Sequence, residues 1–298
     1  MRYDHRVECG MTEQRPEIFD RALHFRRLAR RRGSAEHVLA QTVGNALVER
    51  MEEITRRFDD VRVITPHADL LAGVNEALGR VARVVAVAPL PDEDLRLAPA
   101  CCDAVLDLLD LHAVNDVPGR LAQVRRALRP DGLYLACFFG GDTLTELRQA
   151  WIEAELETGG RISPRVAPMV DVRSAGALLQ RAGFALPVVD VDRAKLRYAD
   201  ALSLMREVSR LGMSNILRDR SRTPVTRRLL LAATKHYGNR NADAGGRISA
   251  TLDLVWITAW SPHESQPKPL RPGSAERRLA DALGATETKL RADPPDAE

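Results

Sequence analysis

The clearest hydrophobic pattern lies in the middle of the chain. Residues 103–109 form a short apolar run bounded by turn formers, and residues 133–139 form a second run after a Pro-Asp-Gly turn. Between them, residues 119–128 have apolar positions at helical spacing. This order predicts one right-handed βαβ unit. Ligands bind beyond the carboxyl ends of parallel strands, so the pattern points to the loops 110–116 and 140–143.

The rest of the pattern alternates helices with strands and predicts an α/β fold. Helices are predicted over residues 22–32, 35–57, 70–78, 143–158, 172–182, 199–211 and 224–237. Strands are predicted over residues 61–64, 81–87 and 184–191, with a last, antiparallel strand over 251–260. Met205 and Met213 are assigned to the core. The segment 261–298, with prolines at 262, 267, 269 and 272, is too Pro-rich for a central strand.

The interval between the first strand and the strand at Asp103 is short. Two βαβ crossovers need roughly 30 residues or more each. Residues 65–102 have room for one helix and one apolar run. We therefore expect a sheet with one parallel strand fewer than seven, in which the strands near Val63, Asp103, Leu133, Val188 and Leu254 are contiguous.

Composition narrows the function classes. The 298 residues are 45% hydrophobic, and the net charge of +3 is too mild for a dedicated nucleic-acid binder. No apolar run reaches the roughly 18 residues of a membrane span. The cysteines at 9, 101, 102 and 137 form no CxxC pair and no zinc spacing, which is typical of reduced thiols in the cytoplasm. We expect no metal site. The arginines at 26–32 indicate a solvated face, with an acidic partner or an anionic lipid surface as alternatives.

Several motifs carry a family resemblance. They are LHAVND, RPDGL, GGDTLTELR, SPRVAP, LLQRAGF and a HESQPKPLRPGSA tail, within a match from about Ile18 to Gly284. The chain resembles class I S-adenosylmethionine (SAM) methyltransferases, and among them the complex I assembly factors that are methyltransferase-like arginine hydroxylases. The resemblance implies a three-layer Rossmann-like fold, N-terminal helices over the cofactor cleft, and a protein partner, such as a complex I subunit. The expected location of the protein is the cytoplasm or the periphery of the inner membrane.

The loop that should hold SAM departs from that resemblance. Close approach of backbone N–H groups needs glycine, but residues 64–69 contain none, and Pro66 lacks a donor. The remaining cofactor-binding candidates are Thr65, His67, Asp92, Leu111 and His112. Asp92 is equally well read as an acidic surface turn, and His112 as a packed or capping residue. Asn115 and Asp116 are predicted to cap the following helix. SAM is the only cofactor indicated, and we expect weak binding.

The loop 140–143 opens the helix 143–158. Thr143 and Glu146 fit a capping box, in which Thr143 caps the helix and Glu146 returns the contact. A cap needs neither Asp142 nor Arg148. Asp142, Thr143 and Arg148 are therefore also candidates for a substrate or partner site, since a carboxylate and a guanidinium can form two-pronged hydrogen bonds.

Four segments follow from these patterns: a disordered N-terminus (1–17), an N-terminal helical cap (18–57), a methyltransferase-like α/β domain (58–260) and a Pro-rich tail (261–298). Two functions remain open. One is an enzyme, a SAM-dependent methyltransferase or an arginine hydroxylase acting on a protein. The other is a non-catalytic assembly or interaction protein that has lost SAM binding. No residue is assigned as catalytic. A third function, NAD binding, would also need a glycine-rich loop, and residues 64–69 do not provide one.

Overall fold

A computed structural model describes residues 17–30, 38–79, 82–159, 161–210 and 212–267, together with Ala280 and Gly284. One compact unit ends at Pro262, and a second begins at His263. The predicted disordered segment up to residue 16 and most of the predicted Pro-rich tail lie outside the described residues. The four-segment division stays a prediction.

Within the described residues, helices and strands alternate as an α/β fold. The helices are α1 (Arg21–Ala29), α2 (Val38–Glu52), α3 (Ala68–Leu78), α4 (Val117–Ala127), α5 (Thr145–Thr158), α6 (Val172–Arg181), α7 (Ala201–Arg210) and α8 (Arg227–Asn241). The strands are β1 (Asp60–Ile64), β2 (Arg83–Val87), β3 (Cys102–Leu108), β4 (Leu128–Gly140), β5 (Ala185–Tyr198) and β6 (Ile248–Trp260).

These strands form one sheet in the order β2-β1-β3-β4-β6-β5. Strands β1 to β4 pair in parallel, and β6 runs antiparallel to both β4 and β5. Only α3 and β2 lie between β1 and β3 in the described part of the chain. The predicted contiguous strands and the single crossover are therefore confirmed, and with them the sheet that lacks one parallel strand.

Helices cover both faces of the sheet. On one face, Leu47 of α2 and Val74 of α3 pack against side chains of β1, β3 and β4. On the other, Val124 of α4 and Leu179 of α6 pack against the opposite side chains of the same strands. This is the predicted three-layer arrangement. A separate apolar cluster joins α5, α7 and α8 and contains Tyr237.

Some element boundaries differ from the prediction. β5 continues to Tyr198, well past the predicted end at 191. Its charged positions, such as Asp192 and Lys195, hide the strand in the sequence, because β5 is an edge strand that pairs only with β6 and leaves many side chains exposed. α5 begins at Thr145 and not at Thr143. No helix in the described residues is long and apolar enough to cross a membrane.

Candidate functional site

Two neighbouring regions lie at the carboxyl ends of the parallel strands. The first, which we call the crevice, is formed by the loops after β1, β2 and β3. The second is a cavity of about 420 Å³ beyond β4. In an open parallel sheet both are positions where ligands bind. The sequence-derived cofactor candidates belong to the crevice, and the substrate candidates flank the cavity.

In the loop after β1, a side chain bonds to the backbone of the same loop. Thr65 Oγ1 accepts a hydrogen bond of 3.2 Å from His67 N. His67 is the N-cap residue of α3, but its side chain makes no capping bond. Pro66 between them has no N–H to donate. The loop therefore offers a ligand fewer backbone donors than a glycine-rich loop would.

A buried ion cluster occupies the crevice beside this loop. Arg21 of α1 binds both carboxylate oxygens of Asp110, at 3.0 and 3.2 Å, and Arg120 of α4 binds Asp110 at 3.0 Å. Arg120 also lies 3.4 Å from Asp107. The four side chains are at most 2% exposed. None of them was predicted as a site residue, although Asp107 and Asp110 interrupt an otherwise apolar run.

Arg21 also joins two loops of the crevice to each other. Its guanidinium donates to the carbonyl of Ala113, after β3, at 3.2 Å and to that of Leu90, after β2, at 3.4 Å. Glu93 Oε1 lies 3.6 Å from Arg21 Nε. Helix α1 is thereby fixed over the carboxyl end of β3, so the N-terminal helix closes the crevice.

Burial and ion pairing shift the pKa values of the two aspartates of the cluster in opposite directions. Desolvation raises the pKa of Asp107 to about 6, because the nearby Arg120 does not offset it fully. Desolvation also acts on Asp110, but the charges of Arg21 and Arg120 outweigh it and lower its pKa. Asp107 Oδ1 has no hydrogen-bond partner among the described residues. Asp110 is thus the ionised centre of the cluster.

The acidic turn after β2 divides its roles between two residues. Asp92 is 56% exposed, pairs with Arg96 at 3.3 Å and accepts from Asp94 N, which is the geometry of a surface turn. Glu93 turns inward and accepts from Asn115 N and Asp116 N, at 2.7 and 2.9 Å. Glu93, which was not predicted, is therefore the acid that reaches the crevice.

The loop after β3 separates the remaining candidates. Asp116 caps α4 by accepting from Gly119 N at 2.9 Å, as predicted. Asn115 does not cap; it binds the backbone N and O of Phe19. Leu111 is 4% exposed and packs in the core beneath the sheet. His112 packs edge-on against Phe139, with ring centroids 4.8 Å apart, and lines the cavity.

The cavity is largely apolar and is enclosed by α1, α5, α7 and the loops around residues 112, 166 and 214. Its lining includes Phe19, His24, His112, Ala113, Leu144, Leu147, Trp151, Arg165, Val166, Ala167, Met169, Met205, Val208, Ser209, Met213, Ser214, Ile216 and Val225. Met205 and Met213, assigned to the core from sequence, also pack against core clusters while they line this space. Ligand pockets in proteins are commonly concave and apolar, with a few polar groups.

Two buried imidazoles border the cavity. His24 is 3% exposed, and neither of its ring nitrogens has a partner among the described residues. His112 Nδ1 is likewise buried without a partner there. Burial lowers the pKa of His24 to about 4 and that of His112 to about 3. Both rings are therefore neutral at pH 7, and each can donate one hydrogen bond and accept one.

A further polar side chain at the cavity, Arg165, lies over an aromatic ring. The guanidinium of Arg165 lies over the ring of Trp151, 4.7 Å from its centroid, and pairs with buried Glu155 at 2.7 Å. Arg148, a predicted partner residue, donates to the carbonyl of Ala167 at 3.0 Å. Arg148 therefore holds the loop that carries Arg165.

The loop 140–143 is fastened to β6 and not to α5, so the predicted capping box is wrong. Thr143 is fully buried; its hydroxyl donates to Gly140 O at 2.7 Å and accepts from Asp253 N at 2.9 Å. The N-cap position of α5 is Leu144, without a side-chain cap, and Glu146 accepts from Thr251. A long-range bond to β6 outweighs the local cap. Thr143 is too buried to touch a partner directly.

Asp142 and the two glycines belong to the same attachment. Asp142 pairs with Arg193 at 2.6 Å, and both side chains are more than half exposed. Arg193 also binds buried Asp253. A Cβ on Gly140 would lie 2.4 Å from a methyl group of Val255, and Gly141 has φ +54° with Asp253 equally close to its Cβ position. Packing against β6 therefore accounts for both glycines.

The residues of the crevice do not fit SAM. The loop after β1 has no glycine, the sheet lacks one parallel strand in the described residues, and Arg21 lies between the loops after β2 and β3. No group of three or more His, Cys, Asp or Glu residues in the described part of the chain is arranged to hold a metal ion.

Strand order and crevice place the fold among Rossmann-like domains of the class I methyltransferase type, in a form without one parallel strand. No protein-family model matches the chain. A putative methyltransferase structure from Bacillus halodurans is 13% identical, covers 73% of this chain and 98% of that chain, and has a TM-score of 0.49. A score this low adds nothing to the assignment, which rests on the strand order.

Sequence comparison gives more specific relatives. The mitochondrial arginine-hydroxylase NDUFAF5 of Danio rerio is 37% identical over 179 residues, 60% of this chain and 56% of the relative. The same protein of Homo sapiens is 37% identical over 190 residues, 63% and 55% of the two chains. The malonyl-(acyl-carrier protein) O-methyltransferase of Xylella fastidiosa (strain M23) is 35% identical over 168 residues, 56% and 55%. The chain spans about half the length of these relatives. It is a homologue of the NDUFAF5 arginine-hydroxylases and of bacterial methyltransferases.

Proposed function

We propose that this methyltransferase-superfamily protein binds a side chain of a protein partner in the cavity, and that it acts in the assembly of respiratory complex I. The observation that carries the proposal is the cavity bordered by His24 and His112, whose buried nitrogens, both of His24 and Nδ1 of His112, have no partner in the described residues. Its expected location is the cytoplasm or the surface of the inner membrane. The family resemblance supports a complex I subunit as the partner.

The dimensions and chemistry of the cavity support a docked side chain. About 420 Å³ lies within the usual range of small-ligand pockets, about 300–1,000 Å³. His24 and His112 have hydrogen-bonding capacity that the described residues leave unused. Burying such groups without a partner costs about 1–3 kcal/mol each, so a docked side chain that reached these buried nitrogens would regain that free energy. Trp151 provides a flat apolar surface beside them.

Two chemistries are compatible with this docking. The first is catalysis on the docked side chain, by methylation or by hydroxylation of an arginine; the similarity to arginine-hydroxylases and to an O-methyltransferase supports it. Methyl transfer depends mainly on proximity and alignment, so the lack of an assigned base is no objection. The second is a non-catalytic assembly protein that has lost SAM binding. The glycine-free loop and the Arg21–Asp110 pair in the crevice support the second.

Cross-linking from the cavity mouth tests the docking. A photoreactive benzoylphenylalanine replaces Val225, which lines the cavity and is 44% exposed. Irradiation in cells followed by mass spectrometry should identify a complex I subunit. Ser209→Trp, which fills the cavity from α7, should reduce the cross-link about tenfold. Ser203→Trp on the same helix does not reach the cavity lining and should leave the yield unchanged.

The cross-link pattern can also contradict the proposal. An equal yield in the Ser209→Trp and Ser203→Trp variants would mean that the partner does not enter the cavity. Cross-links to proteins outside complex I would reject the proposed partner. Thermal melting of both variants provides the control for folding.

A further inference from the structure

The mouth of the cavity is bordered by a segment rich in arginine. Residues 217–228 contain five arginines, at 218, 220, 222, 227 and 228, and one acidic residue, Asp219. Val225, in the middle of this segment, lines the cavity. The segment is joined to the residues just before α1 through an isolated bridge between Phe19 and Leu217. The arginines are therefore held near the cavity mouth.

The arginines of this segment fall into two groups. Arg218 pairs with Glu17, and Arg220 pairs with Asp20 at 3.3 Å. Arg222, Arg227 and Arg228 are exposed, and no ion pair or side-chain hydrogen bond links them to another described residue. The first group fixes the segment to the N-terminal helix region, and the second group has no such structural role.

A further exposed arginine lies in a loop that is bonded to this segment. Ser221 N donates to Ser163 Oγ at 2.9 Å, which joins the segment to the loop that carries Arg161. Arg161 is exposed and has no ion pair with another residue of the described chain. We call Arg161, Arg222, Arg227 and Arg228 the basic collar. Asp219 is the acidic residue within the segment itself, so the collar has an excess of positive charge.

The charges of the basic collar favour a partner with several carboxylates. One exposed ion pair contributes only about 0–1 kcal/mol, so a single small anion would bind weakly here. A peptide segment with several acidic residues can pair with several arginines at once and is also attracted at long range. The apolar cavity within the collar offers such a segment a place for one side chain.

We propose that the basic collar binds an acidic segment of the protein partner, on either side of the side chain that enters the cavity. The inference rests on the proposed docking in the cavity and adds the charge of the partner. It makes the collar the part of the surface that sets the association rate and its dependence on salt.

A charge-reversal variant tests the collar. The probe is a fluorescein-labelled peptide with glutamates on both sides of one leucine, and binding is measured by anisotropy. Arg222→Glu, Arg227→Glu and Arg228→Glu together should weaken binding about tenfold or more at about 50 mM salt. The difference should shrink at about 500 mM salt, where screening is strong. The matched control changes exposed Arg126, Arg173 and Arg181 to glutamate, on α4 and α6.

Three outcomes would overturn the inference. One is equal weakening by the collar and control variants, which would reflect net charge alone. Another is equally tight binding of a peptide with lysines in place of the glutamates. The third is collar-dependent sedimentation with vesicles of phosphatidylglycerol and phosphatidylcholine, without peptide binding, which would assign the collar to a lipid surface. Ser209→Trp separates the two proposals: if the cavity proposal alone fails, peptide binding stays sensitive to the collar but not to Ser209→Trp.

Discussion

The crevice and the cavity lie side by side at the same edge of the sheet but differ in how their polar groups are satisfied. In the crevice, Arg21 and Arg120 both bind Asp110, at 3.0–3.2 Å, in a buried cluster. In the cavity, His24 and the Nδ1 atom of His112 have no partner in the described residues. Asp107 Oδ1 in the crevice also has no partner in the described residues, so the difference is that paired charges fill the crevice, whereas the cavity is largely apolar open space.

The proposed function gives the two regions different roles. A methyltransferase needs a cofactor half and a substrate half. Under the proposed function a cofactor would belong in the crevice, which protein contacts fill, and a partner's side chain would enter the cavity of about 420 Å³. A filled crevice beside an open cavity is what we expect of a protein that binds a partner without holding a cofactor. The following predictions test each half separately.

The largest effect is expected in the crevice. Arg21→Met keeps much of the side-chain volume but leaves Asp110 buried without its main partner. Removing one member of a buried ion pair costs about 3–5 kcal/mol, and urea unfolding should show a loss of that size. Arg26→Met, an exposed position on the same helix, should change stability by about 0.5 kcal/mol or less. A loss below about 1 kcal/mol for Arg21→Met would mean that the cluster does not hold α1 over the crevice.

The next effect concerns His24 and depends on pH. Its folded-state pKa of about 4 lies below the ordinary value of 6.5, so the unfolded chain takes up a proton first as the pH falls. The stability from neutral His24 is present above pH 6.5 and is lost toward pH 4, by up to about 3 kcal/mol at about 1.4 kcal/mol per unit. The pKa of Asp107 is raised to about 6, so its contribution to stability changes with pH in the opposite direction and grows as the pH falls.

A variant isolates the contribution of His24. His24→Leu removes the titrating ring but keeps Asp107, so urea unfolding at several pH values should show a smaller loss between pH 6.5 and 4 than the unaltered protein does. Parallel pH curves for the two proteins would show that His24 is protonated and paired. It would then not be a free polar group of the cavity.

A smaller effect is expected at the loop beside the cavity. Thr143→Val keeps the shape but leaves Gly140 O and Asp253 N without the hydroxyl, and it should cost about 1–3 kcal/mol in thermal or urea unfolding. Asp142→Ala removes an exposed pair and should cost about 0.5 kcal/mol or less. If the two costs are equal, the loop is not held through Thr143. The predicted partner role of Asp142 and Arg148 stays a prediction.

Much of the fold could be predicted because its signals are local. The apolar runs of β3 and β4 are flanked by turn formers, and the short interval before Cys102 excludes a second crossover. The errors come from contacts between distant residues. Thr143 and Glu146 satisfy the local capping rule, but strand β6, about a hundred residues away, supplies better partners. The predicted end of β5, at residue 191, is too early because the exposed charges of this edge strand hide its pattern.

The candidate site was harder to predict for the same reason. Arg21 and Asp110 are 89 residues apart, and no local pattern in either segment predicts that the two side chains pair. Asp92 and Glu93 are adjacent acids in one turn, and only the fold determines which of them faces inward. His24 lies in a helix whose sequence is dominated by arginines, so its burial depends on packing and not on a local pattern.

Calorimetric titration with SAM and with its demethylated product tests the central claim most directly. Micromolar affinity corresponds to about 8 kcal/mol, and each missing hydrogen bond to a charged ligand removes about 1.5–3 kcal/mol. Loss of a few such bonds in the glycine-free loop predicts dissociation constants weaker than about 1 mM for both ligands. Saturable binding in the micromolar range by the unaltered protein would contradict the account, because the crevice would then be a working cofactor site.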